Sequence, residues 1–362
     1  MSEQHPTRRP RLMRWDPLTV GVDIGGTKVL AGVVNGDGQV LGVEQRPTVG
    51  HDVRAVEDTI VELVTLFARR YDVAAVGIGA AGFVDATRSV VMFSPHLNWR
   101  REPLRDALTN RLHLPVVVDN DANAAALGES RFGAGVGHRY VLCVTLGTGI
   151  GGALVLDNRV FRGANGMAGE FGHVQVVPNG HRCACGNRGC WEQYASGNAL
   201  VRDARELITA DSPVARHLRD LVDGDPSQLT GPQITQAARD GDQLSIELLA
   251  DVGQWLGVGL AGMAAAFDPG CIIVGGGVSA AGDLLLEPTR RAFSRSLTGR
   301  GHRTEPPILE AALGPDAGFI GAADMARSAA RRSRRSSRRR AQGRPERISL
   351  RQRMLEARQP VD

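Results

Sequence analysis

The chain has 362 residues, of which 42% are hydrophobic, and a formal net charge of +4. This length and composition are enough to bury a full core and suggest about two domains. No run approaches the ~20 apolar residues of a membrane-spanning helix, and the N-terminus lacks the apolar segment of a signal peptide, which argues against a membrane or exported protein.

Arginine is concentrated near the C-terminus. Residues 327–362 hold thirteen arginines and three acidic side chains, so this segment has a net charge of +10 and the rest of the chain has −6. We expect residues 1–17 to be a disordered leader and residues 327–362 to be an Arg-rich disordered tail. The tail fits either a solvated extension or contact with an anionic partner such as nucleic acid, polyphosphate or an acidic membrane surface.

Short strands followed by glycine-rich turns occur twice in the chain. A strand at 19–23, a turn and a strand at 29–34 have a counterpart in the strand at 140–146, its turn and the strand at 153–156. This repetition suggests two related halves, and strands that alternate with helices predict an α/β protein with mixed sheets. The other predicted elements are a helix near 55–69, strands at 74–78 and 116–118, helices near 199–207, 234–251 and 252–267, and a strand at 271–274.

Three glycine turns follow predicted strands and expose consecutive backbone N–H groups, a geometry that suits phosphate. The second turn also satisfies the glycine pattern of dinucleotide folds through Gly152, but a strand follows where that fold needs a helix. A nicotinamide cofactor is therefore not expected, and three such turns favour a nucleotide cleft. The turns are Gly25-Gly26-Thr27-Lys28, Gly147-Thr148-Gly149 and Gly275-Gly276.

A polar segment, Asp119-Asn120-Asp121-Ala122-Asn123, lies where the strand at 116–118 ends and a helix begins. One of these side chains is needed to cap the helix. An acid that remains at the carboxyl end of a strand lies where α/β proteins bind ligands. Such an acid can accept the proton of a nucleophilic hydroxyl.

Three cysteines, Cys183, Cys185 and Cys190, share one short glycine-rich loop. Three thiolates and one imidazole form a closed tetrahedral shell, so the loop predicts a structural zinc. His173 and His181 are both candidates for the fourth ligand, and spacing alone does not choose between them. Free thiols in a metal pattern, without an export signal, also indicate the reducing cytoplasm.

Glu170, His173 and Glu192 flank the cysteine loop. Carboxylates and imidazole nitrogens form hydrogen bonds with vicinal hydroxyls, which suggests a polyol site. Both glutamates also fit an interpretation as solvated loop charges.

Together these residues resemble the ROK family of sugar kinases, and within it the zinc-containing bacterial glucokinases. The resemblance covers about residues 19–326. It implies an actin-like ATPase (ribonuclease H-like) fold with mixed sheets, in which a small N-terminal α/β domain at 18–119 and a large α/β domain with the zinc loop at 120–326 surround a cleft. The motifs that carry it are Asp23-Ile-Gly-Gly-Thr-Lys28, Asn120-Asp121-Ala-Asn123, Leu146-Gly-Thr-Gly149, Glu170-Phe-Gly-His173, the run from Cys183 to Cys190 with Glu192, and Val274-Gly-Gly-Gly277.

The resemblance also implies a role for each motif, with Asp121 as the general base. The residues implied to hold the sugar are Gly82, Asn120, Asp121, Glu170, His173 and Glu192. Those implied to face ATP and its Mg²⁺ are Asp23, Gly25, Gly26, Thr27, Lys28, Gly147, Thr148, Gly149, Gly275 and Gly276, the last two near the nucleoside. The implied zinc ligands are His173, Cys183, Cys185 and Cys190, which selects His173 over His181.

The implied reaction is ATP-dependent phosphorylation of glucose at its 6-hydroxyl, with Mg²⁺ accompanying ATP, in a cytoplasmic homo-oligomer, either a dimer or a tetramer. Kinases for another hexose or an N-acetylhexosamine, and glucokinases that use polyphosphate, share much of this site. ROK repressors carry a DNA-binding module ahead of the sugar domain. Only about 18 residues precede the first predicted strand, so a repressor is not expected.

Overall fold

A computed structural model of the protein describes residues 16–48, 52–94, 97 and 99–341. Its α-helices are, in chain order, α1 (Val53–Ala68), α2 (Leu104–Leu112), α3 (Asp121–Phe132), α4 (Gly197–Thr209), α5 (Arg216–Asp220), α6 (Gly231–Arg239), α7 (Gln243–Phe267), α8 (Asp283–Ser296) and α9 (Ala317–Ala341). Its β-strands are β1 (Leu18–Ile24), β2 (Lys28–Val34), β3 (Val40–Pro47), β4 (Val73–Ala80), β5 (Phe83–Val84), β6 (Val91–Ser94), β7 (Trp99–Glu102), β8 (Val116–Asn120), β9 (Tyr140–Leu146), β10 (Ile150–Leu156), β11 (Arg159–Phe161), β12 (Cys271–Gly275) and β13 (Ile308–Glu310).

The first sheet has the strand order β3-β2-β1-β4-β8. Strands β1, β2 and β3 pair antiparallel, whereas β1, β4 and β8 run parallel, so the carboxyl ends of these three meet at one edge. The register sets Asp23 beside Gly79 and Gly79 beside Asp119, and it pairs Ala80 with Asn120. The first predicted phosphate turn and the acidic segment therefore lie at the same edge of the sheet.

Helix α9 packs on this first sheet at very close range. A β-carbon added to Gly21 of β1 would lie 1.7 Å from the carbonyl oxygen of Phe319, and one added to Gly77 of β4 would lie 1.8 Å from that of Ala322. Glycine at both positions therefore lets the backbone of α9 lie directly on the strands. The opposite face of the sheet is covered by α1, whose Ile60 and other buried apolar residues join the core of the sheet.

The second sheet repeats the plan of the first, with the order β11-β10-β9-β12-β13. Strands β9, β10 and β11 pair antiparallel, and β9, β12 and β13 run parallel. The predicted mixed sheets are confirmed. A third sheet of short antiparallel strands, β5-β6-β7, lies in the chain between β4 and α2 and was not predicted.

Helix α7 lies in the core of the second half of the chain. By length and composition it could cross a membrane, with a mean hydropathy of 1.3 in its most apolar window, but 56% of that window is buried inside the protein. Its buried residues, among them Leu256 and Leu260, belong to the core that packs on β9 and β12. These properties are typical of a core helix in a globular domain.

The helix boundaries around α7 differ from the prediction. A helix was expected at 234–251, but α6 ends at Arg239, and α7 begins at Gln243 and continues through 252–267 without a break. The side chain of Asp242 accepts a hydrogen bond from the backbone N–H of Ser245 and caps α7. This local cap separates α6 from α7, although the apolar periodicity of the sequence predicts one continuous helix there.

The predicted start of a disordered tail at residue 327 is wrong, because α9 continues to Ala341. Arg327 is 1% exposed. Its guanidinium donates to the carbonyl oxygens of Val34 and Asn35 and pairs with Asp324 at 2.7 Å. Arg327 therefore attaches the helix to the end of β2.

The predicted domain at 120–326 also needs a correction. Because α9 packs directly on β1 and β4, the C-terminal helix belongs to the first sheet, while its Ala322 and Met325 also join a core cluster with β9, β10 and β12. The chain thus returns to its first half after completing the second. Residues 1–15 of the predicted leader and 342–362 of the predicted tail lie outside the described residues.

Candidate functional site

A cleft of about 580 Å³ opens where the first sheet faces the second half of the chain. The first half contributes the carboxyl end of β8 and the start of α3, and the second half contributes the turn after β9 and the cysteine loop. The structure therefore brings the predicted sugar residues together. The predicted site residues that line this cleft are Gly82, Asn120, Asp121, Gly147, Thr148, Gly149, Glu170, His173, Cys185 and Glu192.

Helix α3 begins directly at the cleft. Asn120 is its N-cap, because Oδ1 of this residue accepts a hydrogen bond from the backbone N–H of Asn123 at 3.0 Å. Nδ2 of Asn120 donates to the carbonyl oxygen of Gly82 at 3.1 Å and to Oδ1 of Asp121 at 3.0 Å. Since Asn120 supplies the cap, the Asp121 carboxyl group is not required for that purpose.

The neighbouring acid, Asp119, has a different environment. It is 2% exposed, and its Oδ2 accepts a hydrogen bond from Nε of Arg162 at 2.8 Å. Its Oδ1 accepts hydrogen bonds from the Asn120 backbone N–H and from Nδ2 of Asn123, each at 3.0 Å. Asp119 thus holds the start of α3, and Asp121 is the acid of this segment that lines the cleft.

Glu170, His173 and Glu192 form a polar group in the part of the cleft that the second half contributes. Nδ1 of His173 lies 3.5 Å from Oε1 of Glu192, and Nε2 lies 4.0 Å from Oε2 of Glu170. Burial raises the pKa of Glu170, and the nearby His173 acts in the opposite direction. These three side chains bring several hydrogen-bonding atoms together in one part of the cleft, as a ligand with several hydroxyls requires.

The cysteine loop and His173 form a compact cluster of metal-binding atoms. The donor atoms of His173, Cys183, Cys185 and Cys190 all lie within 4.8 Å of one another. Sγ of Cys183 lies 3.6 Å from Nδ1 of His173, and the Sγ atoms of Cys185 and Cys190 are 3.6 Å apart. Neighbouring donors in a tetrahedral zinc shell are about 3.5–3.8 Å apart, so the four residues can hold one metal ion of this kind.

The other candidate histidine, His181, lies elsewhere. Its ring packs against Tyr194 with 5.3 Å between the centroids, and its backbone N–H donates to the Tyr194 hydroxyl. The cluster also contacts the polar group of the cleft, because Sγ of Cys183 is 3.0 Å from Oε1 of Glu192. The order of the cysteine loop and the position of Glu192 are therefore coupled.

A second cavity, of about 320 Å³, adjoins the cleft. Gly147, Thr148 and Asn198 line both, so the glycine turn after β9 lies at their junction. Of the predicted nucleoside residues, Gly275 ends β12 and Gly276 follows it, and the next two residues, 277–278, line the second cavity. A nucleotide with its base in the second cavity would extend its phosphates toward the cleft.

The first glycine turn, residues 25–28, lines neither of these two cavities. It follows Asp23, and burial raises the pKa of this carboxyl to about 7, with the charge of Asp121 adding to the effect and that of Lys28 opposing it. A β-carbon added to Gly318 at the start of α9 would lie 2.5 Å from Oδ2 of Asp23. Asp23, near the carboxyl end of β1, is therefore in close contact with the start of α9.

Sequence reasoning missed the aromatic residues of the cleft and the arginine partner of Asp119. Phe83 and Phe93 line it from the third sheet, and Arg162 pairs with Asp119. No motif marks any of them, and the one available signal is that Phe83 directly follows Gly82.

Known proteins resemble this chain over most of its length. The chain matches the ROK family over residues 19–329. It is 48% identical over 310 residues to a glucokinase of Streptomyces coelicolor, covering 86% of this chain and 98% of that protein. It is 36% identical over 316 residues to a glucokinase of Thermotoga maritima, covering 84% and 96%. A solved ROK family glucokinase from Streptomyces griseus, in complex with glucose and AMPPNP, is similar with a TM-score of 0.78 and 50% identity, over 86% of this chain and 99% of that one.

Proposed function

The chain belongs to the ROK family, and from that premise we propose that it is a glucokinase, which transfers a phosphoryl group from ATP to the 6-hydroxyl of glucose. Its two mixed sheets of equal topology have the actin-like ATPase architecture, with a cleft between the halves. The observation that carries the proposal is the position of Asp121. This acid lines a cleft with sugar-binding groups, and the cleft joins a second cavity at a phosphate-type turn.

Asp121 is the proposed general base. Its Oδ1 accepts hydrogen bonds from Nδ2 of Asn120 at 3.0 Å and from the Ala122 backbone N–H at 2.9 Å, and these fix the plane of the carboxyl group. The base takes the proton of the 6-hydroxyl as the oxygen attacks the terminal phosphorus. General base catalysis contributes ~10²–10⁴ in rate, and positioning of the two reactants contributes more.

The sugar is held, in this proposal, by Glu170, His173, Glu192 and Asn120, with Gly82 on the neighbouring loop. Support comes from the shared cleft and from the hydrogen bond that Nδ2 of Asn120 donates to the Gly82 carbonyl oxygen. Carboxylates accept two hydrogen bonds from adjacent hydroxyls and so select a polyol over an apolar ligand.

The phosphates are bound, in this proposal, by the backbone N–H groups of residues 147–149 and of the first turn at 25–28, and the nucleoside lies near residues 275–276. The second cavity beside residues 277–278 supports the nucleoside position. Mg²⁺ accompanying ATP would be held through its water shell by Asp23 and would neutralise phosphate charge. Burial, with a smaller contribution from the charge of nearby Asp121, raises the pKa of Asp23, and a bound cation would oppose both effects by stabilising the charged carboxylate.

The metal cluster is proposed to bind one structural zinc through His173, Cys183, Cys185 and Cys190. Zinc would order the cysteine loop and fix the ring of His173, leaving Nε2 on the side of Glu170. Because Glu192 follows the ligand Cys190 by two residues, the same order would extend to a sugar-binding carboxylate. The zinc thus supports the shape of the site and takes no part in the transfer.

A coupled assay tests the proposal directly. Glucose, mannose, fructose, allose and N-acetylmannosamine are compared as acceptors, each with ATP and with polyphosphate as donor. We expect the highest catalytic efficiency for glucose with ATP. If another sugar is favoured tenfold or more, glucose is wrong as the substrate and the kinase activity stands. If polyphosphate is favoured over ATP, ATP is wrong as the donor. If no phosphoryl group is transferred to any sugar, the proposed enzyme activity is wrong.

Location and assembly belong to the same proposal. The protein is expected to be cytoplasmic and to form a homo-oligomer, a dimer or a tetramer. Light scattering coupled to size-exclusion chromatography measures the assembly. For the Arg-rich segment beyond residue 341, disorder stays a prediction. Its two interpretations are a solvated extension and contact with an anionic partner.

A further inference from the structure

Three side chains form a row across the third sheet, and we call Phe83, Phe93 and Arg100 the aromatic ladder. Phe83 on β5 is the register partner of Phe93 on β6, which pairs in turn with Arg100 on β7. The two rings are stacked, with 19° between their planes and 6.3 Å between their centroids. The guanidinium carbon of Arg100 lies 5.4 Å from the Phe93 ring centroid, within cation–π range. Ring stacking and the cation–π contact therefore connect side chains of all three strands.

The aromatic ladder forms part of the wall of the cleft. Phe83 and Phe93 both line it together with Asn120 and Asp121. Gly82, directly before Phe83, has φ of +141°, and a β-carbon there would lie 2.4 Å from the carbonyl oxygen of Phe93. The Gly82 carbonyl oxygen also accepts the hydrogen bond from Asn120. The backbone at Gly82 thus fixes the ladder in relation to the proposed sugar residues.

The two halves of the chain contribute different chemistry to the cleft. The second half presents the hydrogen-bonding group of Glu170, His173 and Glu192, whereas the third sheet presents the apolar surface of two phenyl rings. A sugar that uses its hydroxyls to bind the polar group can still contact the phenyl rings through the faces of its pyranose ring. Aromatic surface suits C–H groups and offers no strong acceptor or donor to a hydroxyl.

Glucose fits such a wall better than its epimers. In its chair form the hydroxyls at C2, C3 and C4 are all equatorial, so both ring faces present C–H groups at these carbons. Each epimer at one of these carbons directs one axial hydroxyl toward one face. A hydroxyl pressed against a phenyl ring loses water without gaining a hydrogen bond, which is unfavourable.

We propose that the aromatic ladder is the specificity-determining wall of the sugar site, which accepts a C–H face of glucose and rejects epimers with an axial hydroxyl on that face. This inference rests on the proposed function, because it requires that the cleft bind a hexose. Axial hydroxyls at C2 and C4, as in mannose and galactose, lie on one ring face, and an axial hydroxyl at C3, as in allose, lies on the other. The ladder therefore discriminates against mannose and galactose together, or against allose alone.

The test compares glucose, mannose, galactose and allose with the full-length protein, by kcat/KM with ATP and by calorimetric affinity. In Phe83→Ala the ratio of glucose to one of these two epimer groups should fall about tenfold or more, the scale on which apolar pockets discriminate against a hydroxyl. The change should appear mainly in KM and in calorimetric affinity and less in kcat, because the ring contacts the sugar and not the transferred phosphoryl group. Phe93→Ala removes the other ring and should lower the ratio for the same epimer group, which makes it the second variant if Phe83→Ala does not fold.

Phe161→Ala is the matched control, because Phe161 is an exposed phenylalanine on β11 and should leave every ratio unchanged. Unchanged ratios for all three epimers in folded Phe83→Ala protein would overturn the proposal, as would an equal loss for glucose and every epimer. A protein that phosphorylates no hexose would refute the proposed function instead. The calorimetric affinity ratios would then decide on the ladder by themselves.

Discussion

Nδ2 of Asn120 donates a hydrogen bond to Oδ1 of Asp121 at 3.0 Å, while Oδ1 of Asn120 caps the helix that Asp121 begins. Two adjacent polar residues thus have separate tasks at the same strand–helix junction. The amide satisfies the helix terminus and orients its neighbour, and the acid lines the cleft. The position of the proposed base therefore depends on a cap that is itself bonded to the loop at Gly82.

Removing the partner of Asp119 should destabilise the protein. Arg162→Gln removes both nitrogens that contact Oδ2 of buried Asp119 and leaves Arg88, at 3.6 Å, as the remaining cation, so we expect the free energy of unfolding to fall by ~1–3 kcal/mol. Denaturant unfolding measures this loss. The matched control is Arg139→Gln, whose partner Asp157 is exposed, and there the loss should be ~0–1 kcal/mol. Equally small losses in both variants would contradict the role assigned to Arg162.

Truncation separates the part of α9 that belongs to the fold from the rest of the Arg-rich segment. A chain that ends after Ala326 lacks Arg327, which bonds the end of β2 and pairs with buried Asp324, so its melting temperature should fall sharply. A chain that ends after Ala341 should keep its catalytic efficiency with ATP. Thermal melting and the coupled assay on both chains check this, and a stable, active chain ending at Ala326 would be the contrary result.

Metal analysis tests the cysteine cluster. Protein purified without chelator should contain about one zinc per chain, and Cys185→Ser should lose it together with glucose affinity, because the cysteine loop runs directly into Glu192. Calorimetry with a nucleotide analogue should show ATP-site binding largely retained. Cys143→Ala, in the buried strand β9, is the control that should keep its zinc. Full activity in zinc-free protein would refute the structural role.

The environment of Asp23 gives stability a particular pH dependence in the absence of Mg²⁺. Its pKa is raised from 3.8 to about 7, so the folded state binds the proton more tightly than the unfolded state. The resulting stabilisation is present below about pH 4 and is lost as pH rises through 7, by roughly 4 kcal/mol if each pKa unit contributes about 1.4 kcal/mol.

Denaturant unfolding of the wild type and of Asp23→Asn between pH 4 and pH 8 measures this dependence. The stability of the wild type relative to Asp23→Asn should decline across that range. A difference that does not change with pH would show that the carboxyl is ionised throughout.

Features encoded by local sequence could be predicted, and features made by distant contacts could not. The glycine turns, the segment from Asp119 to Asn123 and the cysteine loop each carry their chemistry within a few residues. The part of α9 from residue 327 to residue 341 was taken for a disordered tail because it is rich in arginine, and because Arg327 is held by the carbonyl oxygen of a residue 293 positions earlier in the chain. The position of an arginine in sequence does not reveal a partner such as Val34.

The candidate site shows the same division. His173 and the cysteines were expected near one another, and they are. Phe83 and Phe93 were missed, because two phenylalanines ten residues apart have no motif and become neighbours only through the pairing of β5 and β6. The choice of Asn120 as the helix cap likewise depends on hydrogen bonds that the sequence leaves open among several polar residues.

Turnover of Asp121→Asn tests the central claim most directly, provided that glucose affinity and melting temperature are measured on the same protein. Asparagine keeps the size of the side chain but cannot take the hydroxyl proton. We predict that kcat falls by at least ~10²–10⁴ while glucose still binds and the protein stays folded, because the cap is supplied by Asn120. Near-normal turnover in stable Asp121→Asn protein would contradict the assignment of Asp121 as the base.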